Sequence, residues 1–362
     1  MSPLETSTSK EEYDLMEGNE AIAEGAIRAG CNHYYGYPIT PQNELIEYMA
    51  RRMPESGGVF LQVESELAAI HMIFGAAAAG GRAMTSTSSP GISLMLEGLS
   101  HLAAAELPCV VVDIMRAGPG NANIFPSQSD YFLATKGGGH GDFHNIVLAP
   151  ASVQEMADHV MEAFYLAEKY RNPAMVLSDG VVGHLTEKVR FNDPKPSPAS
   201  KEWCVTGARG KTRHVVKSSL GIEPLCEAVN LKIHQKYEDL KRNHTLHDTF
   251  FLEDAELVIV SFGIASRICR KAIRLAREEG LRVGLIRPIT LFPFPSGIIA
   301  ETAERGCRFL VVEMNLGQML EDVQLAVNGK ANLDFFGRAG GVVLSPDEIA
   351  EAIKKSYAGK AH

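Results

Sequence analysis

What this 362-residue chain lacks narrows its reading before any motif is considered. Its six cysteines (Cys31, Cys109, Cys204, Cys226, Cys269 and Cys307) are widely scattered and form no Cys-x-x-Cys pair. That spacing argues against an iron–sulfur cluster or a structural zinc on this chain. It suits buried, reduced thiols instead. Basic charge is also short: 35 Lys and Arg stand against 44 Asp and Glu, a net charge of −9. Nucleic acid and anionic membranes find no electrostatic footprint in such a balance. No apolar run approaches the roughly 20 residues of a membrane span. There is no GxxxxGK[ST] and no GxSxG, and GxG pieces such as GPGNAN at 118–123 do not fit the dinucleotide fingerprint that follows a strand. The polar, acidic opening MSPLETSTSKEEYDLMEG is neither a secretory signal nor a transit peptide, so the expectation is a cytoplasmic protein.

What is present is an ordinary globular composition, 45% hydrophobic and 22% charged, at a length that suggests two domains. Residues 18–185 alternate helical and strand patterns. Strands are expected at HYYGYP (33–38), VFLQV (59–63), AMTSTS (83–88), PCVVVDIMRA (108–117) and PAMVLSD (173–179). The continuous apolar runs among them belong to strands buried on both faces. Helices are expected at 18–30, 40–53, 67–80, 90–106 and 152–171, the second with Thr40 as N-cap and Pro41 in its first turn. The third, LAAIHMIFGAAAAG, is apolar all round and is expected to be buried. Strand–helix alternation of this kind predicts a doubly wound parallel sheet, with ligands at the carboxyl ends of its strands. Residues 191–252 break the pattern with the proline-rich DPKPSPAS, a basic run at 208–217 read as a solvated loop, and one exposed helix over 223–243. A second α/β unit begins near 253, with strands at AELVIVSFG, LRVGLIRP and FLVVEMN and a last helix capped by Ser345.

Three strand ends carry candidate chemistry. VFLQVESE places Glu64 and Glu66 where a strand gives way to a helix. An acid there can face a cofactor ring, or it can simply favour the helix macrodipole. In YPITP (37–41) the Thr40 hydroxyl and the nearby N–H groups can seat a carboxylate or phosphate, or only cap a helix. Arg116 ends the buried strand VVVDIMR, where its guanidinium suits a carboxylate in bidentate fashion. The alternative for it is a salt bridge with Asp113 or Asp130. The long loop after it, AGPGNANIFPSQSDY, is of the kind that binds ligands on a rigid sheet.

YPITP, the ESELAA segment, TSTSSPG and the strand ending in Arg116 together resemble the alpha subunit of 2-oxoacid:ferredoxin oxidoreductases, thiamine-diphosphate enzymes that convert 2-oxoacids to acyl-CoA. The resemblance spans nearly the whole chain. It implies a pyrimidine-type thiamine-diphosphate-binding domain over 1–190, a linker over 191–252 and a transketolase C-terminal-like α/β domain over 253–362. VVEMNLGQMLEDVQLAVNG and GRAGGVV are most similar to the branched-chain (2-oxoisovalerate) subgroup. By this resemblance Glu66 is the glutamate at the aminopyrimidine ring, favouring the tautomer whose exocyclic nitrogen can take the thiazolium C2 proton. Glu64 matches no such role and is kept as a lower-ranked alternative. Thr40 and Arg116 correspond to the residues on the substrate carboxylate. Pro38, Ile39, Ser88, Ser89, Pro90 and Gly91 correspond to the lining of the cofactor pocket.

The chain lacks the GDG…N signature that holds Mg²⁺ and the diphosphate. Mg²⁺ and the [4Fe-4S] clusters are therefore expected on partners: a beta subunit, gamma and ferredoxin-like delta subunits, with ferredoxin and CoA as further reactants. The segment GPGNANIFPSQSD carries no positive charge, which favours an apolar or small substrate tail over 2-oxoglutarate. A 2-oxoglutarate enzyme, a non-oxidative thiamine-dependent decarboxylase subunit and a non-catalytic scaffold are the remaining alternatives.

Overall fold

A computed structural model describes residues 13–198, 200–210, 212–219 and 221–359. The opening segment weighed against targeting signals lies, up to residue 12, outside the described residues. The first unit runs β1 (Asp14–Glu17), α1 (Gly18–Arg28), β2 (His33–Gly36), α2 (Asn43–Glu55), β3 (Val59–Gln62), α3 (Glu66–Ala78), β4 (Ala83–Thr87), α4 (Ser89–Ala104) and β5 (Cys109–Met115). It continues through α5 (Tyr131–Thr135), β6 (Ile146–Leu148), α6 (Val153–Tyr170), β7 (Pro173–Asp179), α7 (Gly180–His184) and β8 (Thr186–Val189). After α8 (Glu223–Asn243) the second unit follows: β9 (His247–Phe250), β10 (Leu257–Val260), α9 (Gly263–Glu278), β11 (Val283–Pro288), β12 (Thr290–Phe292), α10 (Ser296–Glu304), β13 (Arg308–Glu313), α11 (Gln318–Val327), β14 (Leu333–Gly337) and α12 (Pro346–Tyr357).

The apolar strands of the first unit assemble into a seven-stranded sheet in the order β12-β6-β7-β5-β4-β2-β3. It is parallel throughout except where β12 runs antiparallel to β6. β5 and β7 are buried at every residue, as their unbroken apolar runs require. Helix α1 packs against α2 and α6, and α3 packs against α4. The second unit holds a five-stranded sheet, β14-β13-β10-β11-β9, parallel but for β9. The expected doubly wound α/β unit followed by a second α/β unit is what the chain forms.

β12 lies in sequence within the second unit yet pairs in the first sheet, with Thr290 opposite Leu148 and Phe292 opposite Val147. Other contacts fasten the same joint. The guanidinium of Arg287 donates to both oxygens of Glu155, at 2.7 and 2.8 Å. Gln128 donates its side-chain amide to the Phe262 carbonyl and accepts from the Met314 N–H, at 2.9 and 3.0 Å. The two units are thus one packed body, and the loop after Arg116 is held from both.

Several sequence expectations shift. Helix α8, expected as an exposed helix, buries a seam of Ile233, Tyr237 and Leu240, spaced at i, i+4 and i+7. The Tyr237 hydroxyl donates to Asn172 and accepts from the His144 N–H, both at 3.0 Å, and so ties this helix to the first unit. β9 lies within the range read as linker and joins the second sheet. The basic run at 208–217, Lys211 aside, is mostly exposed loop. Ser345 caps α12 in a full capping box with Glu348.

Candidate active site

The carboxyl ends of β2, β3, β4 and β5 face one side of the sheet, and four connections meet there. After β3 the chain turns through Ser65, whose hydroxyl caps α3 by accepting from the Ala68 N–H at 3.3 Å. The turn puts the two acids in opposite surroundings. Glu64 is exposed and Glu66, the first residue of α3, is 4% exposed. Glu66 has little protein to bond: the Thr87 hydroxyl reaches its Oε1 at 3.4 Å. Opposite it sits Gly91, in the first turn of α4. A Cβ at 91 would lie 2.3 Å from Glu66 Oε1 and 2.0 Å from Thr87 Oγ1, so only glycine leaves the carboxyl where it is.

The α4 turn also reaches the next strand. Ser88 Oγ donates to the Ile114 carbonyl at 2.7 Å. Ser89 Oγ accepts from the Arg116 N–H at 3.0 Å and donates to Asp130. One short turn, 88–91, therefore touches Glu66 on one side and the backbone of Arg116 on the other. Pro90 stands at its start as a first-turn proline.

Arg116 is 9% exposed and forms an isolated bridge with Pro126 just past β5. Its Nη1 donates to the Thr40 carbonyl at 3.0 Å, and its Nε is buried without a partner. Neither Asp113 nor Asp130 pairs with it. Among the described residues the guanidinium has no ion pair, so the salt-bridge alternative is not what forms. An unpaired buried charge is costly, and an anion brought to it would remove that cost.

Thr40 is half-buried in the turn between β2 and α2, at a cis Thr40–Pro41 bond. It does not cap α2. That helix starts two residues later than expected, at Asn43, with Gln42 in the N-cap position. The Thr40 hydroxyl accepts only from Asn43 Nδ2, at 3.3 Å, and keeps its proton to donate. Pro38 is exposed and Ile39 half-buried on the approach.

Sequence reasoning passed over two features. Gln42 is fully buried and accepts from Ser86 Oγ at 2.6 Å while donating to the Tyr37 carbonyl, so it fixes the YPITP turn against β4. The Pro-Gln-Asn run after Thr40 was its only signal. The second unit also reaches the site: Asn123 Nδ2 donates to the Gly340 carbonyl at 3.0 Å. A Cβ at Gly341, whose φ is +92°, would strike the Phe125 Cβ at 2.6 Å. Helix α3, expected to be buried all round, buries only one face, and Leu67 on it is 45% exposed. Leu94 on α4 is 51% exposed.

Residues 24–234 match a family model described as pyruvate flavodoxin/ferredoxin oxidoreductase, thiamine diphosphate-binding. Residues 255–349 match pyruvate:ferredoxin oxidoreductase core domain II. The chain belongs to the pyruvate flavodoxin/ferredoxin oxidoreductase family. Within the family, it is 48% identical over 342 residues to ketoisovalerate oxidoreductase subunit VorB of Methanothermobacter thermautotrophicus, covering 94% of this chain and 97% of that one. It is 38% identical to 2-oxoglutarate synthase subunit KorA of Methanothermobacter marburgensis, with 95% and 98% covered. A solved family structure, 2-oxoglutarate:ferredoxin oxidoreductase from Magnetococcus marinus with 2-oxoglutarate, coenzyme A and succinyl-CoA bound, superposes with a TM-score of 0.86 at 28% identity. It covers 95% of this chain, which spans 65% of that longer one. A split-gene transketolase at 12% identity and a TM-score of 0.59 shares the fold. The resemblance read from the motifs is thus a family membership, and the fold expected from it is the fold observed.

Proposed function

We propose that this chain is the alpha subunit of a thiamine-diphosphate-dependent 2-oxoacid:ferredoxin oxidoreductase. Its substrate is a branched-chain 2-oxoacid, 3-methyl-2-oxobutanoate, which with coenzyme A gives the acyl-CoA and carbon dioxide while ferredoxin takes the electrons. The observation that carries this reading is Arg116: a buried guanidinium without a counter-ion, touching Thr40 and joined by one turn to a buried, sparsely bonded carboxyl.

The residues fit the cofactor. Gly91 leaves a cradle that a Cβ would fill, and the carboxyl facing it has capacity to spare. Thiamine diphosphate, when bound, supplies the nucleophilic carbon that adds to the 2-oxo group and then holds the electrons left by decarboxylation. This chain's own residues bind and orient. Glu66 would hold a proton at its carboxyl oxygen toward the aminopyrimidine ring, and its burial strengthens that hydrogen bond. Arg116 and the Thr40 hydroxyl hold the substrate carboxylate, fixing the bond to be broken. The turn at 88–91 sets the spacing between these groups, with Pro38 and Ile39 at the approach.

The rest of the machinery is assigned to partner chains: a beta subunit holding the diphosphate and Mg²⁺, and gamma and ferredoxin-like delta subunits carrying [4Fe-4S] clusters to ferredoxin. Exposed Leu67, next to Glu66 at the start of α3, and Leu94, in the second turn of α4, supply apolar surface for such a neighbour. Among the described residues, no helix is long and apolar enough to cross a membrane.

A branched substrate is favoured over 2-oxoglutarate by two observations. Identity to the VorB relative exceeds that to the KorA relative. The loop after Arg116 also holds no cation and presents Ile124 and Phe125, 55% and 59% exposed. The test is to purify the chain with its partner subunits and rank 3-methyl-2-oxobutanoate, 2-oxoglutarate and pyruvate by kcat/KM for CoA-dependent viologen reduction. The branched substrate leads and the isolated chain is inactive; 2-oxoglutarate leading, or aldehyde release without acyl-CoA, overturns the reading.

A further inference from the structure

Beneath the Arg116 backbone lies a second pair of acids that the reaction does not use. Asp113, in the middle of β5, is fully buried; the Ser89 N–H faces its carboxyl, but neither oxygen has a well-formed hydrogen bond. Its neighbours in register on the flanking strands, Thr87 on β4 and Leu177 on β7, are uncharged. The group it faces is Asp130, 8% exposed in the loop that follows Arg116. Asp130 in turn accepts from Ser89 Oγ, and Ser89 Oγ accepts from the Arg116 N–H at 3.0 Å. Two carboxylates side by side in a dry interior repel each other, and an orphaned carboxylate there costs several kcal/mol. Both difficulties vanish if the pair holds one proton.

We propose that Asp113 is a positioning residue for the active site: as a neutral acid it donates a hydrogen bond to the Asp130 carboxylate, which through Ser89 fixes the backbone from which Arg116 reaches the substrate. The chain of bonds reads Asp113 O–H to Asp130, Ser89 O–H to Asp130, and Arg116 N–H to Ser89. The Ser89 hydroxyl also lies 3.0 Å from the Arg116 carbonyl, but an ionised Asp130 is the stronger acceptor for its one proton, and the excess negative charge of the pair is one. The protonation that this needs is what the surroundings impose. Burial, and after it the Asp130 charge, push Asp113 well above the ordinary carboxylate range. Burial raises Asp130 to about 6, against the lowering effect of its bonds to Ser89 and Asp113, so at neutral pH it is the ionised member. A charge-assisted bond from Ser89 to that carboxylate is the strong link of the relay.

This inference rests on the reading of Arg116 as the carboxylate-binding group, and the test separates the two. Asp113→Asn keeps a donor of the same shape without any proton to lose. Asp113→Leu fills the space with no donor, and Ser89→Ala removes the link between Asp130 and the Arg116 N–H while leaving both acids in place. In the assembled complex, Asp113→Asn is expected to keep KM for the 2-oxoacid within a few-fold of the parent. Asp113→Leu and Ser89→Ala raise it about tenfold, the effect of one lost hydrogen bond, with kcat changed less.

Hydrogen exchange on the full-length chain reads the same relay without turnover. The Arg116 amide loses protection in Asp113→Leu and Ser89→Ala and keeps it in Asp113→Asn. Asp113→Asn impaired as severely as Asp113→Leu shows that Asp113 acts as a charge, and unchanged Arg116 exchange in Asp113→Leu shows that the relay does not hold the backbone. Either result overturns the inference. A parent complex that turns over no 2-oxoacid, with the exchange pattern as expected, sinks the functional reading alone.

Discussion

A methyl group at position 91 is the smallest change that tests how the site is spaced. In Gly91→Ala the new Cβ would sit 2.3 Å from Glu66 Oε1 and 2.0 Å from Thr87 Oγ1, where ordinary contact begins at 3.4 Å. Since α4 is held at its start by Ser88 on the Ile114 carbonyl and Ser89 on Arg116, the helix cannot back away cheaply. The Glu66 carboxyl must yield, by about 1 Å. A misplacement of that size in a catalytic group costs on the order of 10²-fold in rate, about 2.7 kcal/mol of barrier. Alanine is also the better helix former, so the helix itself loses nothing. The assay is kcat for CoA-dependent viologen reduction by the assembled complex, with thermal unfolding and subunit co-purification as controls. We expect kcat to fall about 100-fold while the complex still assembles. A variant with near-parental kcat refutes the reasoning, because the methyl would then have been accommodated without moving Glu66.

Other consequences follow from the same geometry. Arg116→Lys removes the fork that suits a carboxylate and is expected to raise KM for the 2-oxoacid by one to two orders of magnitude, on the order of 2 kcal/mol for a charge-assisted bond; steady-state kinetics with the preferred substrate check it. Glu155→Ala removes the bidentate partner of the Arg287 side chain, 6% exposed, leaving only Asp248 at 3.7 Å, and is expected to cost about 2 kcal/mol in denaturant unfolding. Burial holds the His159 imidazole down to about 4 from an ordinary 6.5. The unfolded chain therefore takes up that proton first, so this contribution is whole above about pH 6.5 and is lost as pH falls toward 4, at no more than about 1.4 kcal/mol per unit. Denaturation midpoints across that range should fall, and His159→Gln should flatten the fall.

The sequence makes some layers of this molecule legible and hides others, for identifiable physical reasons. β5 and β7 could be read from their apolar runs alone, because strands in the middle of a parallel sheet carry no other message. β12 could not: three residues long, it takes its partner Leu148 from more than a hundred positions away, and no local pattern records such a pairing. Thr40 reads as an N-cap because Thr-Pro before an apolar run usually is one, but Gln42 takes that position and the Thr40 hydroxyl, accepting from Asn43, keeps its proton to donate. The placement of Arg116 at a strand end was readable from VVVDIMR, whereas its lack of a counter-ion emerges only in three dimensions. The all-round apolar α3 was correctly unusual but wrongly explained. Its open face carries Leu67, His71 and Gly75, which the described residues leave exposed.

The central claim is that Glu66 is this chain's half of a shared active site. The measurement that tests it most directly is kcat of the assembled complex carrying Glu66→Gln, with 3-methyl-2-oxobutanoate, saturating thiamine diphosphate and CoA, beside the parent. The amide preserves shape and burial but cannot hold the proton, and a loss of roughly 10²–10⁴-fold is the range for a positioned acid–base group. We predict a loss of that size in a complex that still assembles and unfolds at the parental temperature. Turnover at near-normal level in such a complex would contradict the account.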